Sequence, residues 1–273
     1  MSRTFEGKTL RFSHVGSALE VVLNRAPCNE IGLETLTELE VLANYVRDGA
    51  SGARAMIFYS EIPTGFSAGA DLKALYTGIV ERRAKGMTMA AATQEVRSFL
   101  DRIHSVFNAF DMAPFTTIAA THGVVFGGGF ELALTCDVII ADKSARFCFP
   151  ELRLGLVPGF GGIPRLSRDV GNAVVRDLLL TGRSLNATRA HEVGLVSQLV
   201  ARGEVLAATR ALATQTARFD AATTTTAKTF MKPIPTEQLA NEKALFTMLF
   251  TSPIVEAALA KFFHSTDVRP YLP

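Results

Sequence analysis

Gly127-Gly128-Gly129-Phe130-Glu131-Leu132-Ala133 is the stretch from which the rest of this chain is read. Three successive glycines serve the backbone, which they allow to bend sharply and to bring bare N–H groups against a ligand. A helix-forming run follows at once. A helix starting near Gly128 leaves its first N–H groups without partners inside it, and the positive end of its dipole suits an anionic oxygen. Glu131 lies three residues on, one turn from the Gly128 amide on the same helix face. An amide that can hold an anion beside a carboxylate that can move a proton outlines an enolate-stabilising site. A second carboxylate, Glu151, follows Pro150 at another transition from apolar run to loop.

The flanks of this tract repeat one plan. Residues 116–120 read as a strand, 122–129 as a glycine-rich loop and 130–134 as a helix. The next strand, 138–141, is apolar throughout, as expected of one covered on both faces. Further upstream, 10–15 and 18–23 alternate as two strands joined by a turn at Gly16-Ser17. Apolar residues at Leu33, Leu36, Leu39, Leu42, Ala43 and Val46 recur at helical spacing. Residues 55–59 form a short buried strand, and 61–69 a loop with Pro63 and two glycines before a helical pattern resumes near Ala70. Strands alternating with helices predict an α/β fold. Beyond residue 200 the character changes to helices over 205–219, 221–231, 236–250 and 253–263, punctuated by Pro233, Pro235 and Pro253.

Composition excludes several function classes. At 273 residues the chain can bury a sizeable core, and 48% hydrophobic with 20% charged residues fits a globular protein. A net charge of +2 with scattered Lys and Arg lacks the electrostatic footprint of a nucleic-acid binder. Cys28, Cys136 and Cys148 have neither disulfide-framework nor zinc spacing, which points to a reducing cytoplasm. No run approaches the ~20 apolar residues of a membrane span, and MSRTFEGKTLRF has no signal-peptide core. The expectation is a cytoplasmic protein with no membrane or nucleic-acid partner.

Gly65-Phe66-Ser67-Ala68-Gly69-Ala70-Asp71 matches the glycine tract in design, ending a strand and opening a helix through small residues. Two such loops can each aim one N–H at a single carbonyl oxygen, whereas taken singly each is an ordinary tight turn. Asp71 can equally cap the helix that follows. His122, before Gly123, reads as a turn residue, and Cys148 as a small buried thiol rather than a nucleophile.

The segment Ile118 to Leu166, IAATHGVVFGGGFELALTCDVIIADKSARFCFPELRLGLVPGFGGIPRL, with FSAGADL at 66–72 and LTGRSLNATRAHEVGLVSQLV at 180–200, resembles the enoyl-CoA hydratase/isomerase (crotonase) superfamily. The resemblance implies a spiral of ββα units over 1–200, a helical C-terminal region over 201–273 that makes oligomer contacts in a homotrimer or homohexamer, and an acyl-CoA substrate. Residue by residue, it places the two oxyanion-hole amides on Ala68 and Gly128 and the two catalytic carboxylates on Glu131 and Glu151. Substrate contacts fall on Ala68, Gly69, Ala70, Asp71, Leu72 and Gly128. It implies no metal or other cofactor, CoA being part of the substrate, and reversible addition of water to a trans-2-enoyl-CoA. The alternatives within the family are an acyl-thioester dehydratase/thioesterase or an isomerase, and outside catalysis an RNA-binding or scaffold role. Phe160 and Ile163-Pro164 depart from the PGAGGTQRL common in hydratases, so Phe160 is expected to reshape the acyl pocket. The stretch 72–114 is longer than in short-chain hydratases, and reads either as a roof over the acyl chain or as an exposed helical excursion.

Overall fold

The computed structural model describes residues 4–265. Its strands are β1 (Phe5–Glu6), β2 (Leu10–Val15), β3 (Ala18–Leu23), β4 (Ala55–Ser60), β5 (Gly65–Ser67), β6 (Thr116–Thr121), β7 (Val124–Phe126), β8 (Val138–Asp142), β9 (Arg146–Cys148), β10 (Leu185–Asn186) and β11 (Gln198–Val200). Its helices are α1 (Leu33–Arg47), α2 (Leu72–Ala84), α3 (Met89–Asp111), α4 (Gly128–Ala133), α5 (Gly162–Val170), α6 (Asn172–Thr181), α7 (Ala187–Glu192), α8 (Val205–Thr216), α9 (Ala221–Met231), α10 (Thr236–Phe250) and α11 (Pro253–His264). A 3-10 turn covers Glu151–Leu154.

Two sheets organise the chain. One runs β1-β2-β3-β4-β6-β8-β11 and is parallel from β3 onward; the other runs β10-β9-β7-β5. Consecutive strands drop from the first sheet into the second: β4 to β5, β6 to β7, β8 to β9. Helices follow each pair, so the α/β expectation takes the form of a repeated ββα step. β5 and β7 are only three residues each and sit within segments that read as loops. So short a strand shows no usable alternation.

The large sheet is covered on both faces, which is why β3 and β4 are buried along their whole length. Met56 and Phe58 face a core shared with Leu36, Leu39, Ala43 and Val46 of α1 and with Ile103, Phe107 and Phe110 of α3. Ala55, Ile57 and Tyr59 point the other way, under Val205 and Ala213 of α8. The first helix after residue 200 therefore packs on the sheet, whereas α10 lies against α3 and α5, and α11 against α2. Among the described residues no single helix is long and apolar enough to cross a membrane.

The long 72–114 segment is two helices. In α3 the second half buries Leu100, Ile103, Val106, Phe107 and Phe110, while Met89 at its start is exposed. The segment is thus an excursion at one end and a wall of the interior at the other.

Candidate active site

The ends of β5 and β7 bring the two glycine-rich loops together. Ala70 is bridged to Ile31 in parallel fashion, with the Ile31 N–H donating to Gly69 O at 2.7 Å and the Asp71 N–H to Ile31 O at 3.2 Å. That pattern turns the N–H of Ala70 itself away from Ile31, and among the described residues it meets no acceptor. Gly128 is the first residue of α4, so its N–H likewise has no partner inside the helix. A Cβ placed on Gly128 would stand 3.5 Å from the Ala70 nitrogen. These two amides open on one small chamber, lined by Ala68, Ala70, Leu72, Gly127, Gly128, Glu131 and Glu151 among others.

The Ala68 amide, expected as one of the pair, is occupied: it donates to Cys28 O at 2.8 Å. The correction is to Ala70. In extended chain, amides two residues apart point the same way, but Gly69 has φ +92° and breaks that alternation. Nor is α4 a strong dipole, since it has only six residues. What the tract delivers is one N–H at a fixed place.

Both expected carboxylates reach the chamber. Glu131 is buried, and its Oε1 accepts the N–H of Phe160 at 2.7 Å and of Gly162 at 2.8 Å. Burial drives its pKa up to about 7 against those two hydrogen bonds and the Arg165 charge. Glu151 is half-buried as a residue, yet its Oε2 is enclosed and has no hydrogen-bond partner. Its carboxyl lies against Gly127, where a Cβ would come within 2.7 Å of Oε1. Burial, and then the neighbouring Glu131 charge, hold Glu151 well above the usual carboxylate range. Two acids that repel in a shared low-dielectric space titrate as a unit.

A third buried acid, Glu242 of α10, was not anticipated. Its Oε1 accepts the Gly161 N–H at 2.7 Å and its Oε2 the Ile163 N–H at 2.8 Å. Burial first, then Glu131, raise its pKa well above the ordinary value. In sequence it is one glutamate on an amphipathic helix, and nothing local marks it. The carbonyls of the same loop are also held. The His104 Nε2–H donates to Gly159 O at 2.8 Å, and Arg165 Nη1 donates to Phe160 O and Gly161 O at 3.1 and 3.3 Å. Burial lowers the His104 pKa to about 4, which leaves it neutral at pH 7. Arg165 is fully buried and ion-paired to Asp111 at 2.8 Å. Burial opposes ionisation of Asp111, but Lys232, Arg165 and Arg168 outweigh it and keep the carboxyl below its usual range.

Phe160 shapes the space. Its ring lies over Gly128, where an added Cβ would meet Cε2 at 2.5 Å, and it packs against Phe99 and Phe107. The chamber with the two acids encloses about 60 Å³. Beyond Phe160 lies a mostly apolar cavity of about 320 Å³, walled by Ile31, Leu75, Val96, Phe99 and Leu100. Ala70, Leu75, Phe160 and Phe246 border both.

The remaining expected residues divide. Leu72 lines the acid chamber and Asp71 the apolar one. Asp71 also caps α2, accepting the Ala74 N–H at 2.8 Å, and pairs with Arg25. Gly69 lines neither cavity; its N–H goes to Ser67 Oγ and its carbonyl takes Ile31. The His122 Nε2–H donates to Ile62 O at 3.1 Å, and His122 lines neither the acid chamber nor the apolar cavity. Cys148 is buried, and burial pushes its thiol up to about 11, far from a thiolate. Among the described residues no group of three or more His, Cys, Asp or Glu side chains is arranged to hold a metal ion.

Comparison with known proteins places these features in a family. The enoyl-CoA hydratase/isomerase family model matches residues 15–265, and the chain belongs to that family. It is 35% identical over 210 residues to the carnitinyl-CoA dehydratase of Proteus mirabilis, covering 77% of this chain and 75% of that one. It is 38% identical over 187 residues to the probable mitochondrial enoyl-CoA hydratase 2 of Arabidopsis thaliana, covering 68% of this chain and 58% of that protein. The match thus spans little more than half the length of that relative. Among solved structures, Pseudomonas aeruginosa DspI superposes with a TM-score of 0.74 at 29% identity, covering 92% of this chain and 99% of that one. The Bacillus halodurans enoyl-CoA hydratase superposes with a TM-score of 0.81 at 21% identity, covering 93% and 99%, and shares the fold. The crotonase fold expected from the motifs is the observed one.

Proposed function

We propose that this protein adds water reversibly across the double bond of a trans-2-enoyl-CoA thioester. The observation that carries the reading is the enclosed, unpartnered Oε2 of Glu151 in the chamber that also holds Glu131 and the open amides of Ala70 and Gly128. A thioester oxygen seated between those amides gains two hydrogen bonds that strengthen as it becomes an enolate oxygen. Glu131, held at Oε1 by the Phe160 and Gly162 N–H groups, accepts a proton from water as the water oxygen bonds to Cβ. Glu151, whose ionisation burial and the Glu131 charge oppose, gives its proton to Cα. Two neighbouring acids with separated affinities for protons suit one to each task. The amides polarise the carbonyl, so the reaction as drawn uses no metal or redox cofactor, and CoA enters as part of the substrate.

The apolar cavity beyond Phe160 favours a second substrate form for the same acids. A 3-hydroxyacyl thioester with its longer tail in that cavity would lose water at the two acids, and attack of a water molecule on the carbonyl carbon would then release the carboxylic acid and the free thiol. Exposed Phe230, Met231, Met248 and Ile254 on α9–α11 fit association between copies of the chain, as in a homotrimer or homohexamer. The test is loss of the conjugated-thioester absorbance with four- to ten-carbon enoyl-CoAs, in the wild type and in Glu151→Gln. Bleaching that the variant loses supports hydration. Absence of bleaching at every chain length sinks it, and release of free thiol from a 3-hydroxyacyl thioester identifies the second form.

A further inference from the structure

Four consecutive amides, from Phe160 to Ile163, are shared between two buried acids. Phe160 and Gly162 donate to Glu131; Gly161 and Ile163 donate to Glu242. The left-handed turn at Gly161 (φ 101°) lets alternate N–H groups of this loop and helix start meet different carboxyls. The Gly159 carbonyl is taken by His104, and those of Phe160 and Gly161 by Arg165. We propose that Glu242 is a positioning residue: by gripping the Gly161 and Ile163 N–H groups it sets the loop whose other two amides hold Glu131 toward the substrate. The inference rests on the hydration reading for its catalytic meaning, though the grip itself is a matter of structure.

Stability alone is a poor account of this arrangement. Enclosing a third carboxyl beside two others is costly, and an apolar side chain at 242 would avoid that cost. What the carboxylate provides, and an apolar residue cannot, is a two-pronged acceptor 81 residues away in sequence from Gly161. The charged groups that interact with it are Glu131 from α4, Arg165 from α5 and Glu151 from the 3-10 turn. Burial and the Glu131 charge disfavour its ionisation, so the grip is that of a carboxyl group whose affinity for protons is itself raised.

Glu242→Gln and Glu242→Asp separate the second acceptor from reach. Gln keeps one acceptor oxygen and puts an NH2 where the other stood; Asp keeps both oxygens and falls one methylene short. For Gln, kcat on the best enoyl-CoA is expected to fall about 10- to 100-fold with KM within about 3-fold, as for a misplaced catalytic group. For Asp, hydrogen exchange of the 159–163 amides should quicken at least about 10-fold. Unchanged kcat in the Gln variant overturns the proposal. So does unaltered loop exchange in Asp, a readout that serves even if the Gln variant does not fold. If wild type shows no hydration, the functional reading fails, and the exchange experiment still decides whether Glu242 holds the loop.

Discussion

Replacing Glu131 by Gln should make the protein more stable and nearly inactive, with a stability gain that depends on pH. The carboxyl is raised from 4.5 to about 7 by burial, with two backbone N–H groups partly offsetting that rise. A folded state that binds a proton more tightly than the unfolded one loses stability as pH climbs through that interval. Below about 4.5 both states are protonated and there is no penalty. Above about 7 both are ionised, and the difference amounts to about 3 kcal/mol at ~1.4 kcal/mol for each tenfold in proton affinity. Gln never ionises, and its carbonyl oxygen can still accept the Phe160 and Gly162 N–H groups. Urea unfolding at fixed protein concentration should show the variant about 3 kcal/mol more stable than wild type at pH 8.5 and about equal near pH 4.5. Turnover of an enoyl-CoA should fall by roughly 10²–10⁴, the usual contribution of a general base. A gain that is the same at both pH values, or a variant less stable at pH 8.5, would show that Glu131 is not held above its ordinary affinity for protons.

Two further substitutions probe the chamber. Gly128→Ala would place a Cβ 2.5 Å from the Phe160 ring and beside the Ala70 amide. The expected result is at least about a 10²-fold loss of kcat, as for removal of one oxyanion donor, with about 1–3 kcal/mol of overpacking cost visible in denaturation. Phe160→Ala should join the 60 and 320 Å³ cavities. If the second accepts the acyl tail, two additional buried methylenes add about 1.6 kcal/mol, so kcat/KM for longer over shorter enoyl-CoAs should rise more than about ten-fold. Chain-length profiles of kcat/KM check this, alongside about 3–5 kcal/mol of lost stability from the missing ring.

The alternating strands and amphipathic helices were legible because their periods match what the sheet and core bury. Residues 10–15, 18–23 and the helices after 220 fall where the pattern puts them. β5 and β7 were not, since three residues inside a glycine-rich run look the same whether or not they pair. The two acids could be named because each follows a strand end in a recognisable motif. Choosing between Ala68 and Ala70 was beyond residue identity: both are alanines beside Gly69, and only its positive φ decides which N–H faces inward. Glu242 is hidden for a different reason. Its partners are backbone amides far upstream, and a backbone amide carries no signature in sequence.

That long reach has an effect on how the molecule comes into being. A chain emerging from the ribosome completes the described strands of both sheets, with Glu131 and Glu151, while α10 is still to be made. The turn that carries Phe160 and Gly162 then has only half of its eventual anchors. If Glu242 sets this turn as proposed, the second pair of anchors arrives only with α10, so a nascent fragment that already looks nearly folded would hydrate enoyl thioesters about 10- to 100-fold more slowly than the finished chain.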